Sequence, residues 1–234
     1  NIIFLLIILM SILILVDINL LSNSIDAKMM TQSVLRFLGG IIFIVIAQGF
    51  GYSSILKFKN GGKAFVIMIP AFIISINNFP IIAFFSQRAT LTEPFYRVFL
   101  FLIECLSIGF FEEIVFRGLI LFYLLNKLAH TKNGVLLSIV CSSIIFGFVH
   151  VLNIFQGASP SDTILQVGYS FLVGMLWAVM FLKTGNLWLT MLLHATFNFF
   201  GQVMFYLGTV DGRYDLYTII ITTVISLLVA IYTF

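Results

Sequence analysis

The sequence predicts an all-α, polytopic membrane protein folded as a bundle of about eight transmembrane helices. Hydrophobic residues make up 61% of the chain and charged residues only 9%, whereas soluble domains carry about 25% charged residues. The apolar residues form repeated runs of about 20 residues, the length of a helix that crosses a bilayer and far longer than a barrel strand. One domain over residues 1–234 accounts for the whole sequence, which shows no internal repeat.

Eight apolar runs, separated by polar connections, are the predicted spans. In chain order they cover residues 1–21, 34–56, 64–86, 98–126, 134–153, 163–182, 186–208 and 215–234. Pro70 and Pro80 lie inside the third run and predict kinks, which neighbouring helices can accommodate in a membrane bundle. The connection 87–97 contains Phe95 and Tyr96, and aromatic residues of this kind favour the headgroup region.

The charges indicate partners and orientation. A net charge of +3, dispersed along the chain, does not indicate nucleic-acid binding, so the lipid bilayer is the predicted environment. Six lysines lie in alternate connections, against five basic residues on the other side (Lys28, Arg36, Arg88, Arg97 and Arg213), and this small excess predicts that the lysine-containing connections and both termini are cytoplasmic. The six lysines are Lys57, Lys59, Lys63, Lys127, Lys132 and Lys183. The Phe/Ile/Lys/Asn-rich composition and the short loops are typical of a multi-pass protein of a bacterial plasma membrane.

Three ionised side chains lie within six positions of one another in the fourth apolar run. A charge in hydrocarbon is costly unless it is paired or hydrated, so Glu112, Glu113 and Arg117 indicate a functional site. Glu113 and Arg117 are four residues apart and share a helix face, whereas Glu112 is rotated by about 100°. We therefore expect Arg117 to neutralise Glu113 and Glu112 to face a cavity. The alternative is a structural salt-bridge cluster, which would need only one of the two acids.

Two later segments place more polar residues at membrane depth. Phe146 and His150 share a helix face that Asn153 continues, and His194 and Asn198 share a face of the seventh run. At 1.5 Å per residue, these groups and the unpaired carboxylate lie at depths that allow them to meet in one cavity. A carboxylate, two imidazoles and an amide match water activation together with oxyanion stabilisation.

Other chemistries leave weaker signals. The sequence has no His-Glu-x-x-His zinc pattern and no Gly-x-Ser-x-Gly pattern. A serine nucleophile at Ser107 or Ser143 remains open, although neither serine has a base at helical spacing. Glu104 has two interpretations: it lines the same cavity, or it pairs with Arg97 nearer the interface, which we favour.

The three segments together resemble a known set of motifs. Glu112-Glu113-x-x-x-Arg117, Phe146-x-x-x-His150 and His194-x-x-x-Asn198 look like the motifs of the CAAX protease and bacteriocin-processing family, also called the Abi or type II CAAX prenyl endopeptidase family. The resemblance covers roughly residues 104–200, and the first three spans carry no mark of the family.

The resemblance implies an intramembrane, glutamate-type endopeptidase that needs no metal or other cofactor. By position, Glu112 and His150 would activate water, and His194 and Asn198 would form the oxyanion hole. Glu113, Arg117, Phe146 and Asn153 would support them. The expected substrate is a membrane-associated peptide or protein, either of CAAX type or, as the bacterial character of the chain favours, a bacteriocin or pheromone precursor.

Two other functions remain open at this point. The same cavity could hold a peptide or a partner membrane protein without cleaving it, as in bacteriocin immunity or regulation. Glu112, His150 and His194 could instead bind zinc and form a metal-dependent membrane protease.

Overall fold

The computed structural model describes residues 2–15, 24–59, 61–211 and 216–233, which are almost entirely helical. The α-helices are α1 (Ile2–Leu15), α2 (Ile25–Gly49), α3 (Gly61–Asn77), α4 (Ile81–Phe85), α5 (Tyr96–Glu113), α6 (Phe122–Leu128), α7 (Gly134–Val149), α8 (Pro160–Thr184), α9 (Leu187–Tyr206) and α10 (Leu216–Thr233). Short 3₁₀ segments cover Ser53–Leu56 and His150–Gln156.

The fourth predicted span is one long helix with an unusual centre. Between α5 and α6, Ile114–Leu121 is π-helical, and all eight of its residues are buried. The wider i→i+5 backbone turn is rare and often lies at functional sites. Here it begins directly after Glu113, so the two acidic residues occupy the last α-helical turn before the backbone widens.

Several predicted boundaries differ from the structure. The third predicted span does not run to residue 86, because α3 ends at Asn77 and Pro80 precedes the separate five-residue helix α4. Proline has no amide hydrogen to donate, so it starts a helix more readily than it continues one. Helix α2 begins nine residues earlier than predicted, at Ile25, where Ser24 accepts a hydrogen bond from the Ala27 amide. The end of the first predicted span lies outside the described residues.

A small antiparallel sheet interrupts the otherwise helical architecture. Strand β1 (Ala89–Leu91) pairs with β2 (Gly208–Val210), with Thr90 opposite Thr209. The predicted interfacial segment 87–97 thus contains strand β1, and its location at the membrane interface stays a prediction. Strand β1 lies just before α5 and strand β2 just after α9. The sheet therefore holds the N-terminal end of α5, the helix that carries Glu112 and Glu113, close to the C-terminal end of α9, the helix that carries His194.

Three described helical segments are long and apolar enough to cross a membrane by length and composition. They are Ile25–Gly49, Gly134–Gln156 and Pro160–Thr184. Shorter apolar helices cover Ile2–Leu15, Gly61–Asn77 and Ile220–Val229. The structure thus supports a helical integral membrane protein, and the figure of about eight spans stays a prediction.

Helix α5 packs extensively against both α2 and α9. The approach of α5 to α9 depends on Gly109, because a Cβ atom there would lie 2.5 Å from the Met191 carbonyl oxygen and 3.1 Å from the Ala195 amide nitrogen. Small residues allow helix backbones to approach closely in membranes. This contact sets the distance between the helix that carries Glu112 and the one that carries His194.

The two ends of the bundle differ in composition. We call the end that contains the six lysines of the alternate connections the lysine end. There Trp188 donates its indole N–H to the Leu56 carbonyl at 2.7 Å, and the Asn186 amide donates to the Lys59 carbonyl at 2.8 Å. At the opposite end, Arg97 bridges Asp26 and Glu93 beside the small sheet.

Candidate active site

A single cavity of about 660 Å³ collects the predicted catalytic side chains. It lies among α5, α7, α8 and α9, and α1 and α2 complete its wall. The predicted residues on its wall are Glu112, Phe146, His150, Asn153, His194 and Asn198. The cavity reaches the surface beside Gln156 and Asp162, which are exposed. It therefore opens towards the end of the bundle opposite the lysine end.

Glu112 lies at the C-terminal end of α5 and presents its carboxylate to the cavity. Its side chain is 16% exposed, and its Oε2 atom is 3.7 Å from His194 Nε2. Oε2 has no hydrogen-bond partner among the described residues. Buried carboxylate oxygens are normally hydrogen-bonded, so this buried oxygen lacks its usual partner in a side chain that lines the cavity.

The second carboxylate, Glu113, lies behind the cavity wall in a buried ion pair. Arg117 Nη1 donates to Glu113 Oε1 at 2.8 Å, which is the pairing that the spacing predicts. Arg117 Nη2 donates to the Gly174 carbonyl at 3.0 Å. The guanidinium also lies over the rings of Phe146, at 4.7 Å, and Trp177, at 5.4 Å. Glu113 is 0% and Arg117 1% exposed, so these contacts replace the hydration that both charges have lost.

His194 connects the two carboxylates. Its Nδ1 lies 2.8 Å from Glu113 Oε1, and since Glu113 is paired with a guanidinium, the carboxylate is the acceptor and Nδ1 carries the proton. Nε2 then points to the cavity and to Glu112. Trp177 stacks on the imidazole with ring centroids 4.2 Å apart. The hydrogen bond to Glu113 at one edge and the Trp177 ring on one face therefore fix the orientation of the imidazole.

His150 is oriented by its own helix. Its Nδ1 lies 2.9 Å from the Phe146 carbonyl oxygen, which can only accept a hydrogen bond, so Nδ1 is the donor. In the neutral ring the lone pair is therefore on Nε2. The Phe146 ring meets both His150 and His194 edge-on, at 5.1 and 5.8 Å between centroids. Phe146 thus contacts both imidazoles.

The two asparagines differ in their surroundings. The Asn153 amide donates to Gln166 Oε1 at 2.8 Å, which joins the 3₁₀ segment after α7 to α8. Asn198 lies one turn after His194 on α9 and lines the cavity, and no hydrogen bond to its side chain occurs among the described residues. Its amide is therefore free to donate to a group bound beside His194.

Some expectations from the sequence need correction. Glu104 does not pair with Arg97: it lines the cavity, and its Oε1 accepts from Arg36 Nη1 at 3.0 Å. Arg97 instead binds Asp26 and Glu93. The two candidate serine nucleophiles, Ser107 and Ser143, are buried and are not part of the cavity wall.

Trp177 is the site residue that sequence reasoning misses. It lies in the apolar stretch of α8, where nothing in the local sequence separates it from a packing residue. Its role follows only from the packing of α8 against α9. Among the described residues, no group of three His, Cys, Asp or Glu side chains is arranged to hold a metal ion.

The fold and the site together define a helical membrane protein with a polar cavity that contains a carboxylate and two imidazoles. Residues 94–200 match the model of the type II CAAX prenyl endopeptidase Rce1-like family. This match confirms the resemblance to the CAAX protease and bacteriocin-processing family inferred from the three motifs, and it supports a membrane endopeptidase. Comparison with curated proteins and with solved structures finds no match.

Proposed function

We propose that this protein is a metal-independent, glutamate-type intramembrane endopeptidase. The observation that supports the proposal is the cavity itself: its wall includes Glu112, His150, His194 and Asn198, and Glu112 Oε2 has no hydrogen-bond partner among the described residues. General acid–base groups and oxyanion donors within one partly dehydrated site are the requirements for peptide hydrolysis by water.

In the proposed reaction, Glu112 and His150 activate a water molecule. As the water oxygen attacks the peptide carbonyl carbon, its proton passes to the carboxylate of Glu112. The carbonyl oxygen becomes an oxyanion. When the tetrahedral intermediate collapses, the C–N bond breaks and the proton is transferred to the leaving amine. The net change is the addition of one water molecule across the peptide bond.

His194 and Asn198 are the proposed oxyanion donors. Because His194 Nδ1 donates to Glu113, an Nε2–H bond for the oxyanion requires the imidazolium form of the ring. That form gives a balanced cluster in the ground state, with Arg117 and His194 positive and both glutamates negative. When Glu112 takes a proton, the negative charge moves to the oxyanion, which the same imidazolium faces. A donor of this kind typically contributes about a hundredfold or more in rate.

The proposed substrate is a membrane-associated peptide or protein. The cavity lies within the helical bundle, and its wall combines apolar rings with amide side chains that can bind a peptide backbone. If the lysine end is cytoplasmic, as the positive-inside rule predicts, both termini are cytoplasmic and the cavity opens on the outer face of a bacterial plasma membrane. A bacteriocin or pheromone precursor fits that location better than a prenylated CAAX protein does.

The first prediction concerns Glu112. Purified protein in detergent is incubated with a panel of apolar membrane peptides, with and without a strong chelator, and the products are measured by mass spectrometry. We expect Glu112→Gln to lower the cleavage rate by about a hundredfold or more, since the amide cannot accept the proton of the attacking water. The chelator should have no effect.

The matched control is Asp162→Asn, which removes a carboxylate from the exposed rim of the same cavity. Because most surface changes have small effects, the cleavage rate of this variant should stay within about twofold of the wild-type rate. Cleavage by a folded Glu112→Gln variant at the wild-type rate would contradict the proposal. Loss of activity in the chelator would favour the zinc-dependent alternative. Binding of peptides without cleavage would favour an immunity or regulatory protein.

A further inference from the structure

A second charged pair lines the cavity between Glu112 and the open end. Arg36 on α2 and Glu104 on α5 both contribute to the wall, and Arg36 Nη1 lies 3.0 Å from Glu104 Oε1. Their side chains are 26% and 12% exposed respectively. The proposed hydrolysis does not use either residue.

Arg36 has more donor capacity than its single partner uses. A guanidinium has five N–H groups, and Arg36 makes one ion pair with one carboxylate oxygen among the described residues. Arg97 by comparison binds two carboxylates, and Arg117 binds a carboxylate, a backbone carbonyl and two ring faces. Arg36 is thus the most exposed to the cavity and the least satisfied of the three.

Glu104 is the buried partner of the pair. Its Oε2 atom is inaccessible and has no hydrogen-bond partner among the described residues, so a molecule in the cavity would meet the guanidinium of Arg36 rather than the carboxylate of Glu104. The ion pair fixes the guanidinium against the wall. The N–H groups that are not bonded to Glu104 belong to a side chain that lines the cavity and is 26% exposed.

We propose that Arg36 binds a carboxylate group of the substrate, an inference that rests on the proposed function. Glu104 is then the positioning residue that holds the guanidinium in place. Arg36 is the one arginine or lysine among the described residues of the cavity wall. A planar guanidinium with parallel free N–H groups matches the two oxygens of a carboxylate. Arg97 shows that a guanidinium in this protein can bind two carboxylates at once.

The position of the pair sets a distance to the scissile bond. Glu104 precedes Glu112 by eight residues within α5, which is about 12 Å along the helix axis at 1.5 Å per residue. An extended peptide covers this distance in about three or four residues, at roughly 3.3 Å each. The substrate carboxylate should therefore lie about that far from the cleaved bond. It could be the C-terminal carboxylate or an acidic side chain at that position.

The test is a binding measurement that does not depend on hydrolysis. The full chain with Glu112→Gln is purified in detergent, and the affinities of fluorescent apolar peptides are measured. Each peptide is made with a free C-terminal carboxylate, with a C-terminal carboxamide, and with a carboxamide plus one internal glutamate. We expect one of the two carboxylate forms to bind about tenfold or more tightly than the plain carboxamide, and the form that does so identifies the source of the carboxylate.

Variants of the pair separate recognition from structural support. Arg36→Met combined with Glu104→Leu avoids leaving a lone buried charge and should abolish the preference for a carboxylate while the carboxamide still binds. Arg36→Lys should keep part of the preference, and Glu104→Gln, which retains a hydrogen-bond acceptor for Arg36, should keep most of it. The inference is wrong if no peptide binds more tightly as a carboxylate form, if the preference survives without Arg36, or if these variants weaken the binding of all forms equally.

Discussion

The buried polar residues of this site divide into a group that faces the cavity and a group that supports it. Glu113 and Arg117 lie behind the wall, and we propose that Glu113, paired with Arg117, orients His194 through its 2.8 Å contact with Nδ1. Removing one partner of a buried ion pair is costly, whereas replacing both partners with apolar residues is often nearly neutral. Stability and activity should therefore respond differently to changes at these two positions.

Arg117→Met alone should destabilise the protein by about 3–5 kcal/mol, because it leaves Glu113 charged and unpaired in a site that is 0% exposed. Arg117→Met combined with Glu113→Leu should recover most of this loss but remain inactive, since His194 has lost its acceptor. Thermal unfolding in detergent measures the first effect and peptide cleavage the second. Equal stabilities for the single and double variants would show that the pair does not have this role.

At the scale of the helices, the site depends on the close approach of α5 and α9. These helices carry Glu112 and His194, and Gly109 is the position at which their backbones come nearest. Since helices in a membrane associate largely through close packing, a change of a few tenths of an ångström at this contact is transmitted to the distance between the carboxylate and the imidazole.

Gly109→Ala should lower both stability and cleavage, because the added methyl group would lie 2.5 Å from the Met191 carbonyl oxygen and the helices must separate. Overpacking of this kind costs about 1–3 kcal/mol. Gly168→Ala in α8 is the matched control, since a Cβ atom there meets nothing within 4 Å. It should be neutral or stabilising by up to about 1 kcal/mol. If Gly109→Ala and Gly168→Ala changed the unfolding temperature and the cleavage rate by the same amounts, the close approach at Gly109 would not determine the geometry of the site.

At the scale of the whole molecule, the cavity mouth and the lysine end lie at opposite ends of the bundle. The hydrogen bonds of Trp188 and Asn186 hold the connections of the lysine end together, while Gln156 and Asp162 mark the mouth. For the proposed endopeptidase, the orientation in the bilayer would decide which compartment supplies the substrate and receives the products.

Cysteine labelling in intact bacterial cells tests this orientation. In a chain with Cys105→Ala and Cys141→Ser, single cysteines are introduced at two exposed positions, Ser161→Cys at the mouth and Lys132→Cys at the lysine end. A membrane-impermeant thiol reagent should label position 161 directly and position 132 only after permeabilisation. The reverse pattern would place the cavity mouth in the cytoplasm and would favour cytoplasmic substrates.

The parts of the site that could be predicted from the sequence are those set by helical spacing. The Glu113–Arg117 pair is four residues apart on one helix, so the geometry of an α-helix nearly determines it. The partners of Glu104 and Glu113 on other helices, Arg36 and His194, are 68 and 81 residues away in the chain. Such contacts depend on how helices are packed, as does the sheet that pairs Thr90 with Thr209. The spacing of apolar residues along the chain specifies neither the contacts between these helices nor the pairing of the two strands.

The central claim is that water attacks the peptide carbonyl directly, and the most direct measurement of this is cleavage in water enriched in the heavy oxygen isotope with hydroxylamine as a trap for acyl-enzyme. Direct attack by water predicts that one heavy oxygen enters the new carboxylate of the product and that no hydroxamate forms, because in the proposed mechanism Glu112 and His150 activate water and no side chain is acylated. A hydroxamate product that depends on the enzyme would contradict the account and would show that a side-chain nucleophile attacks the substrate.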